Sequence, residues 1–282
     1  MSNLQKQQEN MHRKYFYSEK VRLAYLERGE FHQKILLLLH GHMSDAENLF
    51  QLADRFPEWR VIALDQRGHG YSDHAPNLEY SRESYIQDIH HLLQHLKAHQ
   101  PVTILGHSLG GVNAYQFAAR YPDQVEAVIV EDIGVEIDVD LSFANKLSGV
   151  FPTLVALKEH LRHVGVKAVD YFSQSVIQSE QGWRLLADLN GIPISQQQLN
   201  GSWWADWQAS SCPILLIRGG KSFVLDQKQA EKMVASRPNT KLEVFEKCGH
   251  SIHDEEPEEF CKVVRRFLVE VEQFSDSVKK KG

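Results

Sequence analysis

A doubly wound, mostly parallel α/β sheet with a helical cap insertion is the fold this sequence predicts, and three observations predict it. Short apolar runs of β type alternate along the chain with helical patterns, the rhythm of layered α/β folds. The runs are continuously apolar, as strands covered on both faces must be. From about Gly134 to Ser211 the rhythm breaks into helical patterns with no clear strand, and so long an interruption inside a domain is usually structured and functional.

In chain order, residues 14–18 and 21–27 read as a hairpin leading into the sheet. Sheet strands are predicted at 34–39, 60–64, 102–105, 125–130, 213–217 and 241–245. Within 82–97, Tyr85, Ile86, Ile89, Leu92, Leu93 and Leu96 recur at i, i+3, i+4, i+7 and predict an amphipathic helix. Helices are also predicted at 109–120 and 257–273. The core is therefore drawn from 14–133 and 212–274, with 134–211 as a helical cap over the sheet's C-terminal edge. The polar ends, 1–13 and 275–282, read as loose termini.

The 282 residues carry 31 Lys and Arg against 37 Asp and Glu, a net charge of −6. Nucleic-acid binders usually present a clustered basic face, so that class is set aside. The longest aliphatic run, Ile35–Leu39, is too short to span a bilayer, so no membrane partner is expected. The polar N-terminal stretch lacks an apolar signal core and reads as cytoplasmic. Cys212, Cys248 and Cys261 form no C-x-x-C pair, which argues against a disulfide framework or a zinc ribbon. Nothing in the composition fixes an oligomeric state.

Gly106-His107-Ser108-Leu109-Gly110 is a G-x-S-x-G pentapeptide between a predicted strand and a predicted helix, the context in which that motif has meaning. So sharp a turn leaves no room for side chains flanking the serine. It also sets the hydroxyl at a helix N-terminus, where N–H groups and the helix dipole favour a developing oxyanion. Three further motifs follow strands: His40-Gly41-His42, the loop Asp65-Gln66-Arg67-Gly68-His69-Gly70-Tyr71-Ser72-Asp73, and Gly249-His250.

Taken together, in this order, the four motifs resemble the α/β-hydrolase fold superfamily, of the small serine carboxylesterase type, over residues 21–271. The resemblance implies Ser108 as nucleophile and His250 as the base that takes its proton, with His253 the nearest competitor among 15 histidines. It implies an oxyanion hole of two backbone N–H groups, those of Leu109 and His42. Most of the superfamily places its acid in a G-x-x-D pattern that here reads Gly219-Gly220-Lys221-Ser222, and a serine cannot balance imidazolium. Asp132, after the strand at 125–130, is the implied substitute. Glu131 and Asp226 remain as alternatives, although Asp226 also reads as a helix N-cap. No cofactor and no metal is implied.

Other features have plainer readings. His91, His95 and His99 recur at i, i+4, i+8 and read as a solvated helix face. Asp65 and Arg67 read as braces of their loop, and Glu255, Glu256, Glu258 and Glu259 as acids that complement the last helix's dipole. The cap is aromatic, and Phe143, Trp183 and Trp204 are its candidate pocket residues, with Trp203 and Trp207 on one helix face. The expected substrate is a small to medium carboxylic ester. The rival readings are amide or C–C hydrolysis by the same triad, with Arg162, Lys167 or Arg184 anchoring a carboxylate, and a ligand-sensing signalling protein.

Overall fold

The structure, a computed structural model, describes residues 13–167 and 169–279, with side chains as far as 273; the terminal stretch 1–12 lies outside the described residues. The chain opens with β1 (Arg13–Ser18) and β2 (Val21–Arg28), an antiparallel hairpin. There follow β3 (Ile35–Leu39), α1 (Ala46–Phe50), β4 (Arg60–Leu64), α2 (Arg82–His95), β5 (Val102–His107), α3 (Leu109–Arg120) and β6 (Val125–Glu131). The interrupting segment carries β7 (Glu136–Ile137), α4 (Leu154–His163), α5 (Val169–Phe172), β8 (Val176–Ser179), β9 (Gly182–Leu185), α6 (Gly191–Leu199), β10 (Gly201–Ser202) and α7 (Trp204–Ala209). The chain closes with β11 (Ile214–Gly219), α8 (Gln227–Ala235), β12 (Thr240–Phe245), α9 (Ile252–Glu255) and α10 (Pro257–Lys279).

Eight strands form one sheet in the order β1-β2-β4-β3-β5-β6-β11-β12. β2 meets β4 antiparallel, and from β4 to β12 every pairing is parallel. The alternation of side chains along β3 shows why its run is unbroken. Ile35, Leu37 and Leu39 join the core cluster under α2 and α3, whereas Leu36 and Leu38 join the cluster under α1 and α10. Ser81 caps α2 by accepting from Ser84 N at 3.2 Å, and Asp226 caps α8 by accepting from Gln229 N at 2.9 Å.

Several expectations need correction. The segment 134–211 contains strands: β8 and β9 form a hairpin, and β7 pairs with β10. Such two- to four-residue pieces show no periodicity a sequence reading can detect. α10 runs on to Lys279, past the predicted loose end at 275. The histidine face is solvated as expected, with His95 and His99 exposed, but it also touches the hairpin: His91 Nδ1 lies 2.9 Å from Ser18 Oγ, and the His95 ring stacks 5.7 Å from Phe16. Glu255 ends α9, and its carboxylate accepts the Gly249 N–H at 3.0 Å. Among the described residues, no helix is long and apolar enough to cross a membrane.

Candidate active site

β5 runs through Gly106 and His107 and delivers Ser108 at the turn into α3. Ser108 has φ 52° and ψ −118°, a strained backbone for a residue with a Cβ, at a cost of about 1–3 kcal/mol. Its N–H donates to Glu131 O at 3.0 Å, and its carbonyl accepts Gly111 N–H at 2.9 Å. A Cβ on Gly106 would lie 2.1 Å from Gly110 O, and one on Gly110 would lie 2.1 Å from Leu39 O. Only glycine fits either flank. Leu109 opens α3, so its N–H has no intrahelical acceptor and lies at the positive end of the helix dipole.

Asp132 follows β6 and is fully buried. Its Oδ2 lies 2.8 Å from His250 Nδ1. A carboxylate can only accept, so Nδ1 donates and leaves Nε2 as the proton acceptor. Oδ1 accepts Gly219 N–H at 2.9 Å, and Oδ2 also takes the Ser222 hydroxyl. Ser222 Oγ in turn accepts Val224 N–H at 3.0 Å, which directs its own proton to Asp132. Of the three candidate acids, then, Asp132 is the one the fold brings to His250. Asp226 is spent on the α8 cap.

Glu131 points to the opposite side of the strand and holds a second histidine. His253 Nδ1 lies 2.8 Å from each Glu131 oxygen, and its backbone N–H donates to Oε1 at 2.9 Å. Its Nε2 donates to Asn48 Oδ1 at 2.7 Å, an amide orientation fixed because Asn48 Nδ2 donates to Gln174 Oε1 at 2.7 Å. Both ring nitrogens thus face acceptors, an arrangement that favours an imidazolium paired with Glu131. Burial works against that charge, and the Glu131 carboxylate more than offsets it, raising the pKa. His107 packs between the two histidines, with ring centroids 4.5 Å from His250 and 5.0 Å from His253. Its Nε2 donates to His250 O at 3.0 Å, and burial pushes its pKa well below 6.5. His107, Glu131 and His253 could offer ligand atoms to a metal within 4.8 Å of one another. The carboxylate, however, is already occupied by two N–H groups of His253.

The loop after β3 closes the site from the other side. A Cβ on Gly41 would stand 2.9 Å from His107 Nδ1 and 3.1 Å from Ser108 Cβ, so this backbone abuts the serine. His42 is buried; Tyr171 Oη donates to its carbonyl at 2.9 Å, and its Nε2 lies 2.8 Å from Ser195 Oγ. Burial above all holds the His42 pKa well below 6.5, so its ring is neutral near pH 7. The braces are as read from the sequence. Arg67 grips Asp88 at 2.6 and 2.7 Å, and Asp65 accepts Ala46 N–H at 2.7 Å and Tyr71 N–H at 3.0 Å.

Some predicted residues are not brought together. Among the described residues, no hydrogen bond joins Ser108 to His250; such contacts often tighten only with substrate bound. Phe143 and Trp183 pack with the cluster that contains Met43. Trp204 instead gives its indole N–H to Glu136 at 2.7 Å with Lys232 over its ring, away from that cluster. Trp207 is core: it is fully buried, meets Tyr115 edge-on and donates to Met233 O at 3.0 Å. Arg162, Lys167 and Arg184 are exposed. The sequence reading missed Tyr171, Ser195 and the ion-pair role of His253. The spacing of three between His250 and His253, set against the adjacent acids Glu131 and Asp132, was the one available signal for the last.

Comparison with known proteins agrees with this architecture. The family described as alpha/beta hydrolase fold matches residues 34–257. A 2-(acetamidomethylene)succinate hydrolase of Mesorhizobium japonicum is 28% identical over 248 residues, covering 83% of this chain and 87% of that protein. An esterase of Escherichia coli (strain K12) is 24% identical over 261 residues, covering 87% and 97%. The crystal structure of E-2-(acetamidomethylene)succinate hydrolase superposes with a TM-score of 0.80 at 24% identity, over 92% of this chain and 99% of that one. From its serine turn, its sheet order and this match over most of its length, the chain belongs to the α/β-hydrolase fold family.

Proposed function

We propose that the protein is a serine hydrolase that cleaves carboxylic esters of small to medium size through an acyl-enzyme intermediate. The observation that carries this reading is the buried Asp132 carboxylate 2.8 Å from His250 Nδ1, which leaves Nε2 free to take a proton from Ser108. In the mechanism, Ser108 Oγ attacks the ester carbonyl as His250 Nε2 removes its proton, and Asp132 balances the imidazolium. The N–H groups of Leu109 and His42 hold the oxyanion. His250 then protonates the leaving alcohol, and a water activated by the same nitrogen releases the acid. Residues 134–211 serve as the cap over this site, and the protein works in the cytoplasm. The chemistry needs no cofactor or metal, and neither nucleic acid nor membrane is a partner.

A serine-directed fluorophosphonate tests the mechanism. It should label Ser108 stoichiometrically and abolish turnover of p-nitrophenyl esters; labelling elsewhere, or turnover that survives labelling, refutes it. Amide hydrolysis by the same residues is the second reading, favoured by the name of the Mesorhizobium relative, a 2-(acetamidomethylene)succinate hydrolase. Turnover of an ester against its matching amide separates the two. Turnover so slow that it serves only recognition would favour a ligand sensor.

A further inference from the structure

Two arginines flank the Tyr85 ring, Arg67 at 6.0 Å and Arg82 at 5.3 Å from its centroid, and they are paired differently. Arg67 has the Asp88 carboxylate, which more than offsets its burial and raises its pKa. Arg82 has only amides: Nε donates to Gln116 Oε1 at 2.9 Å and Nη2 to Asn113 Oδ1. Nη1 is buried and has no partner among the described residues. Asp206, an acid whose charge reaches Arg82, is itself bonded to Gln116 Nε2 at 2.8 Å. Burial pulls the guanidinium pKa down to about 10, although the residue as a whole is only half-buried. The guanidinium is thus desolvated without a carboxylate partner of its own, and Nη1 is left without an acceptor among the described residues.

Hydrogen-bonded side chains lead from Tyr85, beside Arg82, to the candidate oxyanion loop. Tyr85 Oη lies 2.9 Å from Ser195 Oγ, which lies 2.8 Å from His42 Nε2. After burial, the Arg82 charge is among the influences that lower the His42 pKa. Asn113, which holds Nη2, stands on the helix that Ser108 opens, about 7–8 Å along its axis at the α-helical rise. A desolvated cation held by neutral oxygens is costly to keep. A carboxylate offsets that cost and matches the planar guanidinium donors.

We propose that Arg82 receives a carboxylate carried by the substrate, so that the ester cleaved at Ser108 is an acid-bearing one, such as the half-ester of a short dicarboxylic acid. This deepens the esterase reading and rests on it. The exposed Arg162, Lys167 and Arg184 lack the desolvation that makes Arg82 selective.

The test compares monomethyl succinate and monomethyl glutarate with methyl pentanoate, followed by pH-stat. Wild type should favour a half-ester by at least ~10-fold in kcat/KM, as a charge-assisted hydrogen bond allows. Arg82→Gln should bring that ratio close to one, and Arg82→Lys should keep part of it. A wild type that prefers methyl pentanoate, or a ratio that survives Arg82→Gln, overturns the proposal. Thermal melting of Ser108→Ala protein with glutarate gives a readout independent of turnover. Glutarate should raise Tm, and the rise should vanish when Arg82→Gln is added. If no ester is turned over, the esterase reading fails and the glutarate shift still decides whether Arg82 binds carboxylate. If Arg82→Gln does not fold, the wild-type ratio, the Arg82→Lys ratio and the glutarate shift decide it.

Discussion

Ser222 gives its hydroxyl proton to Asp132 Oδ2, the same oxygen that faces His250 Nδ1. The residue standing where most of the superfamily keeps its acid is thus in contact with the acid proposed for this chain. Asp132→Asn should cost on the order of 10²–10⁴ in kcat near pH 7, because an amide neither selects the imidazole tautomer nor balances its charge. Ser222→Asp should partly rescue that variant, and the two changes should be strongly non-additive. Asp226→Asn should change kcat little, since asparagine caps a helix about as well as aspartate. Steady-state kinetics on the four variants check all three statements, and a full-activity Asp132→Asn would remove Asp132 from the triad.

Ser108→Ala should lower kcat by at least ~10³-fold while leaving the fold intact, the residual rate being that of binding and the oxyanion hole alone. Relief of the strain at φ 52° is not expected, because alanine has the same Cβ. Far-UV circular dichroism beside the activity assay separates loss of chemistry from loss of structure.

The Glu131–His253 pair makes a signed pH prediction. The folded pKa of His253 is raised above 6.5, so the pair's contribution is complete below that value and is lost as pH climbs through the raised one. Glu131→Gln should cost about 3–5 kcal/mol near pH 6, as for other broken buried pairs. The gap from wild type should narrow in alkaline solution. Urea unfolding at pH 6 and pH 9 measures it, and a gap that widens with pH would mean that His253 is buried neutral.

Chelators should leave activity unchanged. Dialysis against EDTA, then assay with and without added zinc, checks this; a loss restored by zinc would show that His107, Glu131 and His253 hold a metal in place of the ion pair.

Soluble esters of short to medium acyl length should outrun emulsified long-chain triglycerides. The large apolar side chains exposed here, such as Phe31, Val155 and Phe223, come from separate stretches of the chain. Initial rates across a graded ester series decide it.

The central sheet strands were legible because they are short, mostly apolar runs, several of them followed directly by a motif, as Ile35–Leu39 is by His40-Gly41-His42. Ser108 was legible for the same reason: Gly106 and Gly110 are steric requirements, and steric requirements show in sequence. Asp132 was legible through the resemblance to the superfamily, with Glu131 and Asp226 left beside it as alternatives. What stayed hidden depends on contacts between distant stretches. Tyr171 on the His42 carbonyl, Ser195 on the His42 ring and Asn48 under His253 are all ordinary residues until the fold brings them together. The cap hairpin was hidden because Val176–Ser179 and Gly182–Leu185 are too short to carry a period.

Glu131 and Asp132 locate all three candidate catalytic residues. The Glu131 carbonyl takes the Ser108 N–H, its carboxylate clamps His253 in α9, and the Asp132 carboxylate holds His250 three positions earlier in the chain. In a machinist's terms, nucleophile and base are dimensioned from one datum, a single dipeptide at the tip of β6. Bending or twisting of the sheet displaces serine, histidine and aspartate together, so such displacements largely cancel in the distances between them. The tolerance of the site is then set by a few side-chain bonds rather than by the curvature of an eight-stranded sheet.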